Sequence, residues 1–598
     1  MKDKDIDKFN KLDKIRHSAE HIFNQAVESV FPNQVLRAMG PAIDTGFYND
    51  SRWGYKITEE DFPKIEAEMQ KIIDANLPFI YKEISESKAR ELFKDNPFKQ
   101  EFIDEFLAEG KTLSIYYTGD PEKGEDVFVD LCAGPHVTKT SEVGAFKLLS
   151  IAGAYWRGSE KNEMLTRIYG TAFETQKDLD AYIEEREKQL ANDHRVLGKK
   201  LDLFAFSDLV GKGFVMYTPK GTIIKNELKN ALVKMSKKYG VQEVNIPHLA
   251  KIDLYKISGH AQKFSDELFK VTSHYDEEFV LKPVNCPHHT QIYASKPRSY
   301  RDLPIRYIES TQQHRDEKPG AIGGLNRTRS FEIDDGHTFC TPDQIKQEII
   351  NTIKIVEEFY TGLGMWGKHW ISLSFSNPNT PEKYIGEVAD WKKAESMLQQ
   401  ISDELKLNAK VMIGEAALYG PKIDFMLKDV QGNDRQLATV QVDFAMPKRF
   451  ELTYIDENGA EKTPVMMHRA ILGSYGRFIA NLIESTGGAF PVWLSPVQVM
   501  IIAISEKSFD YAKKIESVLN MEDIRTESDL TSETMGNKIR KAQEQKVPYM
   551  LIIGEKEAEA QTVSIRTREG KQKNNVDLKT FTSTIKTNIM TKSLEVNI

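Results

Sequence analysis

Between residues 279 and 444 the chain holds a series of short strand candidates, FVLKPVNC, PIRYIEST, RSFEIDD, PKIDFML and ATVQVDF, with turns between them. Runs such as ATVQVDF alternate apolar and polar residues, which sets one group of side chains against a core and leaves the other facing solvent or a site. That alternation favours an antiparallel or mixed sheet over a doubly wound domain, whose parallel strands read as continuous apolar runs. No GxGxxG follows a strand and no GxxxxGK(S/T) occurs, so neither a dinucleotide-binding fold nor a P-loop is supported. The residues that carry chemistry sit on or beside these strands.

At 598 residues the chain exceeds one core, and three to four domains are expected. The first block, to about residue 180, opens with an amphipathic helix pattern over 15–30, followed by strand-like pieces and turn signals such as GPAIDTG and AGPH. Residues 177–200, KDLDAYIEEREKQLANDHRVLGKK, predict an exposed connector helix with a boundary near 195–200. A large block runs on to about Pro491. The last hundred residues alternate strand and helix (QVMIIAIS, a helix over 508–519, KIRKAQEQ, PYMLIIG) and predict a small α/β domain of βαβ type. No repeat or low-complexity segment is present.

A hydrophobic content of 40% with 28% charged residues suits a soluble globular protein, and no apolar run approaches the roughly 18 residues of a membrane span. The start, MKDKDIDKFNKLDK, has no apolar core of a signal or transit peptide. Three cysteines argue against a disulfide framework and for a reducing cytoplasm. The net charge of -8 does not advertise a nucleic-acid binder, but a local basic groove suffices for one.

Residues 314–340, HRDEKPGAIGGLNRTRSFEIDDGHTFC, join Arg315, Asp316 and Glu317 to a glycine-rich turn, Arg327, Arg329 and Phe331. Guanidinium forks suit phosphate and an aromatic face suits a purine, while the alternative is a charged, solvated hairpin. Cys286 in KPVNCPHH, at the end of a strand pattern, can be grouped with His337 and His468. One thiolate and two imidazoles make three zinc ligands and leave an open tetrahedral position. No CxxC pair supports the grouping, and a single Cys or His at a strand end serves structure as readily. His288 and His289 compete from the same turn but rank lower, since ligands so close to Cys286 would close the site.

KPVNC, HRDE followed by GLNRTRSFEIDDGHTFC, YGPKIDF, ATVQVDF and HRAILGSYGRF stand in the order expected of the threonyl-tRNA synthetase family, which the whole chain resembles. The resemblance implies an α+β multidomain protein. Its parts would be an editing domain (1–178), a connector helix (179–200), a class II catalytic domain on an antiparallel sheet (201–493) and an α/β anticodon-binding domain (494–598). It implies ATP-dependent activation of L-threonine, transfer to tRNA(Thr) and hydrolysis of mischarged Ser-tRNA(Thr), in the cytoplasm, by a homodimer whose interface motif matches YGVQEVNIP. One zinc per subunit would be held by Cys286, His337 and His468 and would bind the amino and hydroxyl groups of threonine; Mg²⁺ would accompany ATP. Arg315, Glu317, Phe331, Lys422 and Arg477 match catalytic positions, with Arg315 at the α-phosphate, Phe331 on adenine and Arg477 at the γ-phosphate. Asp335, Tyr419 and Gln441 match the substrate pocket, which Lys422 shares.

HSAEH (His17, His21) and DLCAGPH (Asp130, Cys132, His136) resemble the family's editing elements, and 155–170 resembles the closing segment of that domain. His17 and His21 share a helix face. These residues are also good zinc ligands, but the family reading favours a metal-free hydrolytic site. Such a site follows from the first one: a zinc that demands a hydroxyl rejects valine, whereas serine lacks only a methyl, worth about 1–3 kcal/mol of discrimination. Glu557 and Arg566 match anticodon-reading positions; the alternative is an exposed basic strand with Arg568. The chain departs from the family's usual residues at Val284, His288, Ile333, Leu437, Ala438, Gly476 and Ser532, which marks a divergent member, and, with its editing motif starting at His17, it is expected to lack the family's ubiquitin-like domain. Two other functions are compatible with that divergence: a non-charging, RNA-binding regulator, and a synthetase for another hydroxy amino acid.

Overall fold

The computed structural model describes residues 9–123, 127–158, 162–429 and 433–598, with only the backbone of Pro319. The chain divides into two compact units between Glu187 and Lys188.

The first unit is built around the helix Lys11–Val30, started by a capping box between Asn10 and Asp13. Its apolar positions Ile15, Ala19, Ile22, Phe23 and Ala26 are fully buried in a core shared with the helix Phe62–Asp74. An antiparallel sheet in the order Val35–Met39, Gly46–Trp53, Met164–Phe173, Ala145–Tyr155 covers that core, with Ala42–Ile43 paired to Gly46–Trp53. A three-stranded sheet, Phe79–Glu83, Ser114–Thr118 and Phe128–Leu131, carries Asp130. Of the segment 155–170, residues 159–161 lie outside the described residues, as do the first eight of the chain.

The expected single connector helix is two helices, Gln176–Ala191 and His194–Lys200. Asp193 breaks the run: its φ of -52° and ψ of 128° leave the helical region, and its side chain accepts from Arg195 N as the N-cap of the second helix. The charge pattern read above does not register a cap in mid-run.

The second unit holds an eight-stranded sheet in the order Gln242–Glu243, Ile305–His314, Ser330–Cys340, Val465–Ala470, Asp434–Asp443, Lys422–Lys428, Trp370–Phe375, Lys410–Ile413. Only the two outermost pairings are parallel. Its register sets a row of side chains across the strands: Tyr307 opposite His337, His337 opposite His468, His468 opposite Gln441, and Gln441 opposite Lys422. Cys286 does not end a strand. The strand Glu278–Leu281 stops earlier, and Cys286 opens the helix Cys286–Ala294, with Pro287 in its first turn where an amide donor is not needed.

The last sheet runs Thr526–Asp529, Val499–Ala503, Tyr549–Ile553, Thr562–Thr567, Gln572–Asp577. The first two pairings are parallel, as βαβ units require, and the last two are antiparallel. Arg525 ties this part to the rest of the unit, bonding the carbonyls of Trp493 and Ser495 and Glu227 Oε1, the last at 2.8 Å. No helix among the described residues is long and apolar enough to cross a membrane.

Candidate active site and a histidine cluster

A cavity of about 550 Å³ opens over the eight-stranded sheet, lined by Arg315, Glu317, Arg327, Phe331, Tyr419, Lys422, Gln441 and Arg477 among others. Arg315 lies over the Phe331 ring, 5.3 Å from its centroid. Glu317 takes Arg327 Nε at 2.8 Å, which fixes one cation of the cavity. Burial, and then the like charges of Arg435, Arg315 and Arg327, lower the Arg477 guanidinium from its ordinary value. Cations gathered against their own repulsion mark a place built for an anion. Opposite them, Tyr419 donates to Gln441 Oε1 at 2.8 Å, and Lys422 Nζ donates to Asp424 at 2.7 Å.

Cys286, His337 and His468 are all buried, and their ligand atoms lie within 4.8 Å of one another. They do not line the cavity; Tyr419, which does, stacks on His468 with ring centroids 4.1 Å apart. The donor set fits a metal. His468 Nε2 donates to Asp443 Oδ2 at 2.8 Å, so its Nδ1 presents a lone pair, 3.1 Å from His337 Nε2. Asp443 is held in turn by the amides of Ala445 and Met446. Carboxylate partners behind metal-binding imidazoles are the usual means of fixing ring orientation. His289 stands behind the trio, its Nδ1 2.7 Å from His337 Nδ1. Asp335 does not line the cavity either; it accepts from Asn285 Nδ2 at 3.0 Å and lies 3.7 Å from His337 Nε2.

The first unit brings His17, His21, Cys132 and His136 together, again within 4.8 Å. Cys132 Sγ is 3.5 Å from His17 Nε2 and 3.4 Å from His136 Nε2, while the other nitrogens of these rings meet Pro135 O and Ser18 Oγ, each at 3.1 Å. Burial pushes the Cys132 thiol up to about 12 and His21 down to about 3, so both are neutral at physiological pH. Burial opposes ionisation of Asp130, but Lys99 at 2.7 Å, with Arg37, overcomes it and holds the carboxyl well below the usual range.

Family models match three stretches: "Threonyl and Alanyl tRNA synthetase second additional domain" over 113–169, "tRNA synthetase class II core domain (G, H, P, S and T)" over 269–486, and "Anticodon binding domain" over 498–588. A threonine–tRNA ligase of Thermotoga maritima is 44% identical over 585 residues, 98% of this chain and 89% of that protein. One of Oceanobacillus iheyensis is 41% identical over 587 residues, with the same shares. The chain belongs to the threonine–tRNA ligase family. Among solved structures, the RNA-binding domain of threonyl-tRNA synthetase from Cryptosporidium parvum Iowa II is 36% identical, with a TM-score of 0.62 over 66% of this chain and 98% of that one. None of these matches supports a non-charging regulator or a synthetase for another amino acid.

Within this threonine–tRNA ligase, three departures from the family's usual residues, Val284, Ile333 and Leu437, line the cavity. Ala438 is buried in the core behind it, and Ser532 is exposed far along the chain. His288 is buried with neither ring nitrogen partnered by a protein atom. Glu557 accepts Gly554 N and Ser564 Oγ, and Arg566 follows two residues on, along the same strand face as Ser564. Several groups at these sites escaped the sequence reading. His260, Asn326 and Thr328 line the cavity, and Lys99 pairs with Asp130. A helix-borne lysine 31 residues before its carboxylate carries no motif; His260 and Asn326 stood in SGH and GLNR without distinguishing chemistry.

Proposed function

We propose that this threonine–tRNA ligase activates threonine in the cavity edged by Arg315 and Arg477, and removes serine at the cluster of His17, His21, Cys132 and His136. What supports the first half best is the convergence of three arginines on one cavity whose wall residue Tyr419 stacks on His468 of the Cys286–His337–His468 trio. Arg315 holds the α-phosphate as a threonine carboxylate oxygen attacks phosphorus and pyrophosphate leaves. Arg477 holds the far end of the triphosphate, and Phe331 offers its face to adenine. The fixed positive field neutralises charge that grows in the pentavalent transition state, so positioning and electrostatics carry the step. Glu317 keeps Arg327 in place. Tyr419, Gln441 and Lys422 orient the amino acid, and Asp335, outside the cavity wall and 3.7 Å from His337 Nε2, acts on it through that imidazole. Cys286, His337 and His468 would hold a zinc ion, which when bound supplies a Lewis acid for the amino and hydroxyl groups of threonine. Mg²⁺ would enter with ATP.

At the second site the neutral imidazoles can take a proton from water, with Asp130 held ionised beside them, and this reading assigns no metal there. Glu557 and Arg566 face the anticodon. The short edge strand Gln242–Glu243 lies in the segment matched to the dimer motif, and a cytoplasmic homodimer is part of the reading.

Amino-acid-dependent ATP–pyrophosphate exchange with threonine, serine and valine, on wild type and His337→Ala, tests it together with metal analysis. Exchange with threonine, weaker with serine and absent with valine, abolished in the variant, with one zinc per chain, is the expected result. No exchange in zinc-loaded protein that binds ATP would overturn it, and two zinc ions per chain would overturn the metal-free second site.

A further inference from the structure

We propose that His194 is a positioning residue for the nucleotide-binding loop, fastening residues 323–328 to the helix that carries Arg477. The proposal rests on the reading of the cavity as the ATP site. His194 is 3% exposed, belongs to the second unit and does not line the cavity. Its two ring nitrogens do different work. Nε2 accepts the backbone N–H of Leu325 at 3.1 Å, and Nδ1 donates to Glu484 Oε1 at 2.6 Å. Glu484 lies on the helix Tyr475–Thr486, two turns beyond Arg477.

Asp193, His194 and Glu484 together resemble a metal-binding group in composition. The hydrogen bonds speak for a latch instead. The Nε2 lone pair is taken by an amide, and the Nδ1 proton is directed at the carboxylate, so His194 has no nitrogen left for an ion.

Neighbouring residues are shaped to this contact. Gly324 sits at φ +51°, and a Cβ there would come within 2.3 Å of His194 Nε2, so only glycine allows both the turn and the approach. Leu325 O faces Gly476, where a Cβ would stand 2.9 Å away. Arg477 Nε donates to Asn326 O at 3.3 Å. The backbone on both sides of Leu325 is thus held by the helix that carries Arg477: through His194 and Glu484 on the amide side, and directly on the carbonyl side. Asn326, Arg327 and Thr328, which line the cavity, follow immediately. A buried amide left without its acceptor would let this stretch seek another arrangement, and the arginines would lose their common aim.

The test compares His194→Gln and His194→Asn with wild type. Glutamine keeps an acceptor where Nε2 stands; asparagine keeps only a donor where Nδ1 stands. Mg·ATP binding by titration calorimetry and ATP–pyrophosphate exchange are measured on each. The expectation is that asparagine weakens ATP binding and raises the ATP KM about tenfold, leaves the threonine KM within about twofold, and that glutamine restores most of the loss. In wild type the Leu325 amide is expected to exchange with deuterium as slowly as the sheet amides, a reading independent of any variant. Equal ATP affinities in wild type and both variants, equal losses for ATP and threonine, or a rapidly exchanging Leu325 amide would each overturn the latch. A wild type that binds ATP but shows no threonine-dependent exchange would strike the functional reading alone, with the ATP affinities still deciding on His194.

Discussion

Glu20 shows how far a single residue here can be forced from its ordinary chemistry. It is buried on the helix Lys11–Val30, takes amide donors from Asn24 and Asn49, and packs so close to Gly40 that a Cβ there would fall 1.7 Å from its Oε1. Burial first, then the charge of Asp130, push its carboxyl up to about 8 from an ordinary 4.5. The folded state therefore favours the protonated form. That contribution to stability is fully present below pH 4.5 and is lost as pH rises through about 8. Glu20→Gln, which mimics the protonated acid, should raise the unfolding free energy of the first unit more at pH 8.5 than at pH 5, by an amount of the order of 2 kcal/mol. Thermal unfolding at the two pH values checks this; a pH-independent difference would show that the carboxyl ionises normally. Legibility at this scale followed motif membership. Cys286, His337 and His468 could be grouped in advance because cysteine is scarce here, with three in the chain, and a thiolate with two imidazoles suits one ion. Lys99, His194 and Asp443 were not, since each acts through a partner that only the fold brings near.

At the scale of elements, the strands were readable and their ends were not. Alternation of apolar and polar side chains located the strands around ATVQVDF and RSFEIDD, although the fold buries much of both faces of each, the polar one included. Asp193 and Cys286 escaped because a cap and a helix start depend on one or two backbone angles. Gly476 sharpens the point. The resemblance puts glutamate there in the family, yet here a Cβ would press to 2.9 Å on Leu325 O. Restoring the usual residue by Gly476→Glu should therefore harm this chain, raising the ATP KM roughly fivefold through displacement of the loop, with the threonine KM little changed. Exchange kinetics read the effect directly, and an unchanged or improved ATP KM would mean that the loop accommodates the side chain freely.

For the whole molecule, the division into two units with separate cores implies that the two chemistries can be lost separately. His136→Ala should lower hydrolysis of Ser-tRNA(Thr) about a hundredfold while threonine-dependent exchange stays within about twofold of wild type. Deacylation and exchange assays on one preparation settle it; a parallel fall in both would contradict independent sites. The domain plan was legible in composition and motif order, and so was the strand that carries Arg566, whereas the last antiparallel strand, QKNNVD, was not, because its single apolar residue does not announce it. The transverse row Tyr307, His337, His468, Gln441 and Lys422 has a consequence for how such a chain can change over generations. Neighbours in that row owe their common face to even spacing along each strand. One inserted or deleted codon within Ser330–Cys340 or Val465–Ala470 would turn a histidine to the far side of the sheet, so length variation in a descendant can be absorbed only in the loops, where parity does not matter.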